Sequence, residues 1–146
     1  GEAATLAGVA TAGIPWGAMA ADQLKLPYIY VRPKPKEHGL GNQIEGAFTP
    51  GQKVLVIEDL ISTGKSSLQV VDVLRAAGAE VVGMVAIFTY DFAQASEAFA
   101  AANVPFVCLT NYPSLITLAV EKGYVTKEQE SILLDWRNSP STWTGK

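Results

Sequence analysis

The stretch that decides the fold reads Val54-Leu55-Val56-Ile57-Glu58-Asp59-Leu60-Ile61-Ser62-Thr63-Gly64-Lys65-Ser66. Its first four residues are apolar and mostly β-branched, which predicts a buried strand. Two carboxylates follow at the carboxyl end of that strand, and a turn of hydroxyl residues and glycine then opens a helix. Ligands of open α/β sheets bind beyond the carboxyl ends of the strands, so this segment predicts a binding site.

The turn has the chemistry of a phosphate site. Backbone N–H groups at a helix N-terminus have no partner within the helix and carry the positive end of its dipole. Ser62, Thr63 and Ser66 add hydroxyl donors, and Gly64 lets the backbone approach an anion closely. The two carboxylates can accept hydrogen bonds from vicinal sugar hydroxyls, and they place negative charge beside a carbon that becomes cationic. Together these features indicate a ribose 5-phosphate.

Two other interpretations of this segment stay open. Gly64-Lys65-Ser66 matches the end of the nucleotide-binding Walker A motif, but that motif needs a glycine where Asp59 stands. The segment could also be a purely structural strand, turn and helix, with its acids in surface ion pairs.

The rest of the chain alternates apolar runs with helix-period segments, which predicts an α/β fold with a mainly parallel central sheet flanked by helices. We expect strands at residues 5–9, 28–31, 54–57, 81–88 and 106–109. We expect helices from about Pro15 to Leu24 and over residues 65–77, 91–102, 114–123 and 126–136. Gly78 is expected to end the second helix, Ser114 to cap the fourth, and Thr126 with Gln129 to form a capping box on the last.

Composition limits the function classes. With 146 residues, 49% of them hydrophobic and 17% charged, the chain suits one globular domain, and its net charge of −3 gives no reason to expect nucleic-acid binding. The longest apolar run, at residues 81–88, is too short to span a membrane. Cys108 lies in an apolar run, where we expect a small buried thiol rather than a nucleophile, and this suits a cytoplasmic protein.

Two further loops carry candidate chemistry. Residues 8–14 follow the first strand as a glycine-bounded turn of small residues, which by itself could be a tight strand-to-helix connection. Residues 32–51 form a long polar, cationic stretch that contains the only histidine, His38. A loop of this length inside a compact domain is usually functional, although a solvated basic surface loop is the alternative.

The segment at residues 54–66 resembles the binding motif for phosphoribosyl pyrophosphate (PRPP) of the type I phosphoribosyltransferases. The resemblance implies that Glu58 and Asp59 hold the ribose hydroxyls. It implies that the 5-phosphate is bound by Ser62, Thr63, Gly64, Lys65 and Ser66. The turn that contains Ala10 and Thr11 resembles the family's pyrophosphate loop, in which main-chain amides line the pocket; some relatives have a lysine where Ala12 stands.

The stretch from Arg32 to Gly46 is similar to the catalytic loop of the orotate branch of this family. Arg32, Lys36 and His38 match that loop, whereas Pro33 stands where many members have lysine. The resemblance implies an orotate phosphoribosyltransferase, which forms orotidine 5′-monophosphate and pyrophosphate in de novo pyrimidine biosynthesis. Lys36, His38 and Asp59 would be catalytic. Arg32, Lys36 and His38 would also bind PRPP, and Mg²⁺ would arrive with PRPP rather than on protein ligands.

The resemblance also implies a homodimer in which the loop from Arg32 to Gly46 reaches the neighbouring active site. Orotate would be held partly by Ser62. The arginine that some members have after the strand ending near Phe88 is missing, because Thr89-Tyr90-Asp91 stand there. We expect residues 1–146 to form a catalytic core without the N-terminal hood segment of the family. The alternatives are transfer to another base and a non-catalytic PRPP-binding regulator.

Overall fold

The structure is a computed structural model that describes residues 5–34 and 42–145; Lys36 and His38 lie outside them. In chain order the elements are β1 (Thr5–Val9), α1 (Gly13–Leu24), β2 (Tyr28–Val31), β3 (Ile44–Glu45), β4 (Lys53–Ile61), α2 (Lys65–Ala76), β5 (Glu80–Thr89), α3 (Ala93–Ala101), β6 (Phe106–Asn111), α4 (Tyr112–Glu121) and α5 (Lys127–Asn138).

One six-stranded sheet organises these elements, in the order β3-β2-β1-β4-β5-β6. Every neighbouring pair is parallel except β2 and β3, which run antiparallel. The predicted α/β fold with a mainly parallel sheet is therefore confirmed. The chain adds β2 on one side of β1 and returns to add β4 on the other side, so the strand order reverses at the β1–β4 pair.

Both faces of the sheet are covered, and alternate residues of β4 divide between them. Val54 and Val56 join the larger core, which α2 completes with Val71 and Leu74, and all four side chains are fully buried. Ile57 faces a smaller core with Ala21 of α1. Each large aliphatic side chain buried in this way stabilises the fold by about 1.5–3 kcal/mol, which holds β4 rigidly in the centre of the sheet.

The strands extend further than the sequence predicts. β4 continues to Ile61 because Leu60 and Ile61 pair with Phe88 and Thr89 of β5. Glu58 and Asp59 therefore lie within the strand and not after it. The two-residue β3 was not expected, since a single pair of residues leaves no periodic signal.

Of the three helix-end signals named from the sequence, two are confirmed and one is wrong. Gly78, at φ 92°, follows α2, and the capping box of Thr126 and Gln129 opens α5. The Ser114 cap is wrong: α4 starts at Tyr112, and the side chain of Asn111 accepts a hydrogen bond from the Ser114 N–H. The cap comes three residues earlier because β6 itself runs to Asn111 and passes directly into the helix.

Cys108 is half-buried rather than fully buried, because β6 is the edge strand of the sheet. Burial raises the pKa of its thiol, with a smaller contribution from Asp91, which keeps the thiol protonated and supports a non-nucleophilic role. In the described part of the chain, none of the helices combines the length and apolar character needed to cross a bilayer.

Candidate functional site

The site lies where the strand order reverses. β1 and β4 are parallel neighbours, so the turn after β1 and the turn after β4 open at the same edge of the sheet. Such a reversal leaves a crevice beyond the carboxyl ends of the strands, and ligands bind there. The start of α1 comes close to β4 at this point, since a Cβ on Gly13 would lie 2.7 Å from the carbonyl oxygen of Ile57.

The turn from β4 into α2 depends on Gly64. This residue has φ 85°, in the left-handed region, and a Cβ there would lie 2.8 Å from Cε2 of Phe99. The N-cap residue Gly64 has no side chain to cap α2, and no acidic residue stands in the first turn of this helix, all of which is described. The Lys65 N–H makes a long contact with Thr63 Oγ1. The start of α2 therefore keeps N–H groups available to an outside acceptor, which is the arrangement that binds phosphate.

The hydroxyl groups of the turn are close to its amides. The Thr63 N–H donates to Ser62 Oγ at 2.6 Å, and the Lys65 N–H donates to Thr63 Oγ1 at a longer 3.4 Å. Ser62 and Thr63 are half-buried, while Lys65 and Ser66 are exposed. The hydroxyls therefore lie where an anion bound at the turn would sit.

Glu58 is held inside the protein next to the turn. Its side chain is 4% exposed, Oε2 accepts a hydrogen bond from Ser67 Oγ at 2.8 Å, and Oε1 accepts one from the Asp59 N–H at 3.0 Å. Burial is the main reason that the pKa of Glu58 rises to about 7, and the neighbouring Asp59 side chain raises it further against the lowering effect of Ser67. Asp59 itself is half-buried. Of the two acids, Asp59 is the more accessible to a ligand.

A small cavity of about 180 Å³ brings several predicted residues together: Ala10, Arg32, Glu58, Asp59 and Ser66. The turn after β1 thus borders the same space as both acids. The Ala10–Thr11 peptide bond in this turn is cis. Arg32 approaches the cavity from the end of β2, with its Nε 3.6 Å from Oε1 of Glu45.

A second, larger cavity of about 720 Å³ lies on the other side of the β4–α2 turn. Ser62 and Thr63 form one wall, and Tyr90, Phe92 and residues 136–142 form the others. The sequence did not predict this wall. The available signal was Trp136-Arg137 in the last turn of α5, but only the tertiary fold brings that turn against the segment after β5.

The structure thus divides the predicted residues that it describes among the small cavity, the large cavity and the exposed surface. The small cavity takes the acids, Ala10, Arg32 and Ser66, while Ser62 and Thr63 border the large one. Lys65 is exposed and lines neither cavity, and the Thr11 side chain is exposed as well. Within residues 5–34 and 42–145, no three carboxylate, imidazole or thiol groups converge as a metal site would require.

Comparison with known proteins agrees with this geometry. The model of the phosphoribosyl transferase domain matches residues 1–116. The orotate phosphoribosyltransferase of Bacteroides thetaiotaomicron is 53% identical over 143 residues, which make up 98% of this chain and 68% of that protein.

Solved structures give the same result. The crystal structure of orotate phosphoribosyltransferase from Aeropyrum pernix superposes with a TM-score of 0.71 at 34% identity, over 84% of this chain and 67% of that one. The Mycobacterium tuberculosis orotate phosphoribosyltransferase in complex with PRPP superposes with a TM-score of 0.60 at 26% identity, over 76% of this chain and 64% of that one. The chain therefore belongs to the phosphoribosyltransferase family, and within it to the orotate phosphoribosyltransferases.

Proposed function

We propose that this protein transfers the ribose 5-phosphate group of PRPP to a ring nitrogen of orotate and releases pyrophosphate, a step of de novo pyrimidine biosynthesis. One observation carries the proposal. At the reversal of the strand order, the β4–α2 segment combines two carboxylates with a helix N-terminus that has glycine as its N-cap and no acid in its first turn. A ligand with a sugar diol at one end and a phosphate at the other matches that arrangement.

The phosphate end of PRPP would bind at the β4–α2 turn. The N–H groups of the first turn of α2 donate to the phosphate oxygens, with the hydroxyls of Ser62, Thr63 and Ser66 as further donors. Gly64 keeps the backbone free of a side chain at the closest approach. Lys65 contributes positive charge from the exposed side of the turn.

The ribose end would meet the two acids in different ways. Substitution at the anomeric carbon passes through an oxocarbenium-like state, and a carboxylate beside it stabilises the developing positive charge. Asp59 suits this role because it is half-buried and borders the small cavity. Glu58, which Ser67 and the Asp59 N–H fix in place, orients the strand end and accepts a ribose hydroxyl.

The leaving pyrophosphate would be bound by the turn at Ala10 and Thr11 and by the cations of the loop from Arg32 to Gly46. Arg32 is 39% exposed at the rim of the small cavity, where its guanidinium can reach a phosphate. Lys36 and His38 complete the proposal as catalytic groups that neutralise or protonate the leaving group. Both lie in a stretch that the structure does not describe.

Mg²⁺ fits this site as a companion of the substrate. Carboxylates together with substrate phosphates are the ligands that Mg²⁺ takes in phosphate chemistry. Asp59 and Glu58 are the carboxylates in the described lining of the small cavity, and both are assigned to the ribose, so PRPP oxygens would supply the coordination. The ion would offset the charge that builds on the pyrophosphate as the glycosidic bond breaks.

We extend the proposal to assembly and setting. A homodimer would let the loop from Arg32 to Gly46 reach the neighbouring site, which would exclude water from PRPP. Residues 1–146 would act as one catalytic core. The half-buried, protonated thiol of Cys108 suits a reducing cytoplasm.

The test is the ultraviolet absorbance of orotate, which falls when orotidine 5′-monophosphate forms. We expect the loss to require both PRPP and Mg²⁺. Substitution Asp59→Asn should lower kcat by ~100-fold or more while the melting temperature stays near that of the wild type, because it removes charge at the transition state and no packing. Asp72→Asn, on the exposed side of α2, is the matched control and should change neither.

Three outcomes would contradict the proposal. Turnover of another base in place of orotate would mark a different transferase. PRPP binding without turnover would mark a regulator. Equal losses of activity and stability in Asp59→Asn would make Asp59 a structural residue.

A further inference from the structure

The large cavity is suited to a flat ring. Tyr90 and Phe92 stack with their ring planes 9° apart and their centroids at 5.3 Å, and Trp136 meets Tyr90 edge-on at 5.6 Å. These three side chains line the cavity together with Ser62 and Thr63. Aromatic walls favour planar ligands, and the adjacent β4–α2 turn keeps such a ligand next to the sugar phosphate.

Arg137 is the charged member of the described lining of this cavity. It comes from the last turn of α5 and reaches the segment after β5, where its Nη2 donates to the carbonyl oxygen of Asp91 at 3.0 Å. The same nitrogen lies 3.3 Å from Oδ2 of Asp91. Residues 89–91 contain no arginine of their own, although some members of the family have one there. Arg137 reaches this segment from a position 46 residues further along the chain.

The guanidinium of Arg137 is not fully satisfied by these contacts. Its side chain is 26% exposed, and its Nε is buried without a hydrogen-bond partner among the described residues. Arg137 lines the cavity and part of its side chain is exposed, so a carboxylate that entered the cavity could pair with the guanidinium. Asp91 supplies one carboxylate, but it is 49% exposed and contacts only one nitrogen.

We propose that Arg137 recognises the carboxylate of the pyrimidine and so determines the preference for orotate over uracil. Orotate differs from uracil by that carboxylate alone. The other lining side chains described above, Ser62 and the three aromatic rings, are neutral. The positive charge that separates the two bases therefore comes from Arg137. This inference rests on the proposed function, because it assigns the base to the large cavity and the sugar phosphate to the turn beside it.

The alternative role for Arg137 is that of a clip that only ties α5 to the segment after β5. A clip would affect both bases equally, whereas a carboxylate-binding residue would affect orotate alone. The experiment therefore compares orotate, as substrate, with uracil, as a competitive inhibitor at saturating PRPP and Mg²⁺. It uses Arg137→Gln and Arg137→Lys.

Arg75→Gln is the matched control. Arg75 also donates from its guanidinium to two backbone carbonyls, those of Ala102 and Asn103, but it lies on α2 away from the cavity lining. It reports what the loss of an arginine clip does by itself.

We expect Arg137→Gln to lower kcat/KM for orotate by ~10- to 100-fold, mainly through KM, because a charge-assisted hydrogen bond is lost. Inhibition by uracil and the calorimetric affinity for PRPP should stay unchanged. Arg137→Lys keeps the charge but loses the planar guanidinium. Its kcat/KM for orotate should therefore lie between the values of the wild type and of Arg137→Gln. Arg75→Gln should leave the orotate-to-uracil ratio at the wild-type value.

Two results would overturn the inference. One is an unchanged orotate-to-uracil ratio in both Arg137 variants; if Arg137→Gln does not fold, Arg137→Lys alone decides. The other is a parallel loss for both ligands. Failure of the proposed function is a separate result, since the wild type itself would then not consume orotate with PRPP and Mg²⁺.

Discussion

Glu58 links the stability of the protein to pH in an unusual direction. Its pKa is raised from 4.5 to about 7 in the folded state, with burial as the main cause. The folded protein therefore binds the Glu58 proton more tightly than the unfolded chain does. The stability from this group is present in full below about pH 4.5 and is lost as the pH rises through 7.

The substitution Glu58→Gln tests this linkage. Glutamine has nearly the same shape but no charge, and it can keep contacts with Ser67 and the Asp59 N–H. A shift from 4.5 to about 7 corresponds to at most about 3 kcal/mol, at 1.36 kcal/mol for each pH unit. Because Glu58 is only 4% exposed, water screens little of this effect.

The measurement is urea unfolding of both proteins between pH 5 and pH 8. We expect Glu58→Gln to be more stable than the wild type at pH 8, by up to about 3 kcal/mol, and the advantage to shrink steadily toward pH 5. Glu80→Gln, at the exposed start of β5, is the control and should show no such trend. A difference that stays constant with pH, or that grows as the pH falls, would refute the reasoning.

Two further substitutions test the turn and the last helix. Gly64→Ala should cost about 1–3 kcal/mol more than Gly51→Ala in chemical denaturation, since both residues have positive φ but only Gly64 would bring a Cβ against Phe99; equal costs would show that the close contact carries no penalty. Thr126→Ala should destabilise the protein by about 1 kcal/mol through loss of the capping box, as measured by the urea midpoint. Thr117→Ala, also exposed and on a helix, should stay within about 0.5 kcal/mol, and a matching loss there would contradict a specific capping effect.

The sequence predicts what depends on neighbours along the chain. The apolar run at residues 54–57, the left-handed Gly78 and the Thr126 capping box are local signals, and the structure has all three. The strand ends were underestimated because Leu60 and Ile61 gain their partners from β5, across the sheet. The Ser114 cap failed for a related reason: Asn111 ends a strand and caps a helix at once, and propensity alone cannot rank the two candidates.

The candidate site likewise has a part that could be predicted from consecutive residues and a part that could not. The acids and the turn could be read from one segment, because strand, turn and helix are consecutive there. The large cavity could not, because Tyr90 and Phe92 meet Trp136 only when α5 packs back against the segment after β5. Contacts over such separations leave no periodic pattern in the sequence.

The hydroxyls of the β4–α2 turn have a consequence for how an anion arrives. In the free protein, Ser62 Oγ and Thr63 Oγ1 already serve as acceptors for the Thr63 and Lys65 amides. When phosphate binds, its oxygens would replace Ser62 Oγ and Thr63 Oγ1 as acceptors for these amides. The two hydroxyls would then rotate and donate hydrogen bonds to the phosphate. The β4–α2 turn thus has the conformation that binds phosphate before the ligand arrives, because its own hydroxyls accept from the amides. Binding therefore requires little rearrangement of the backbone.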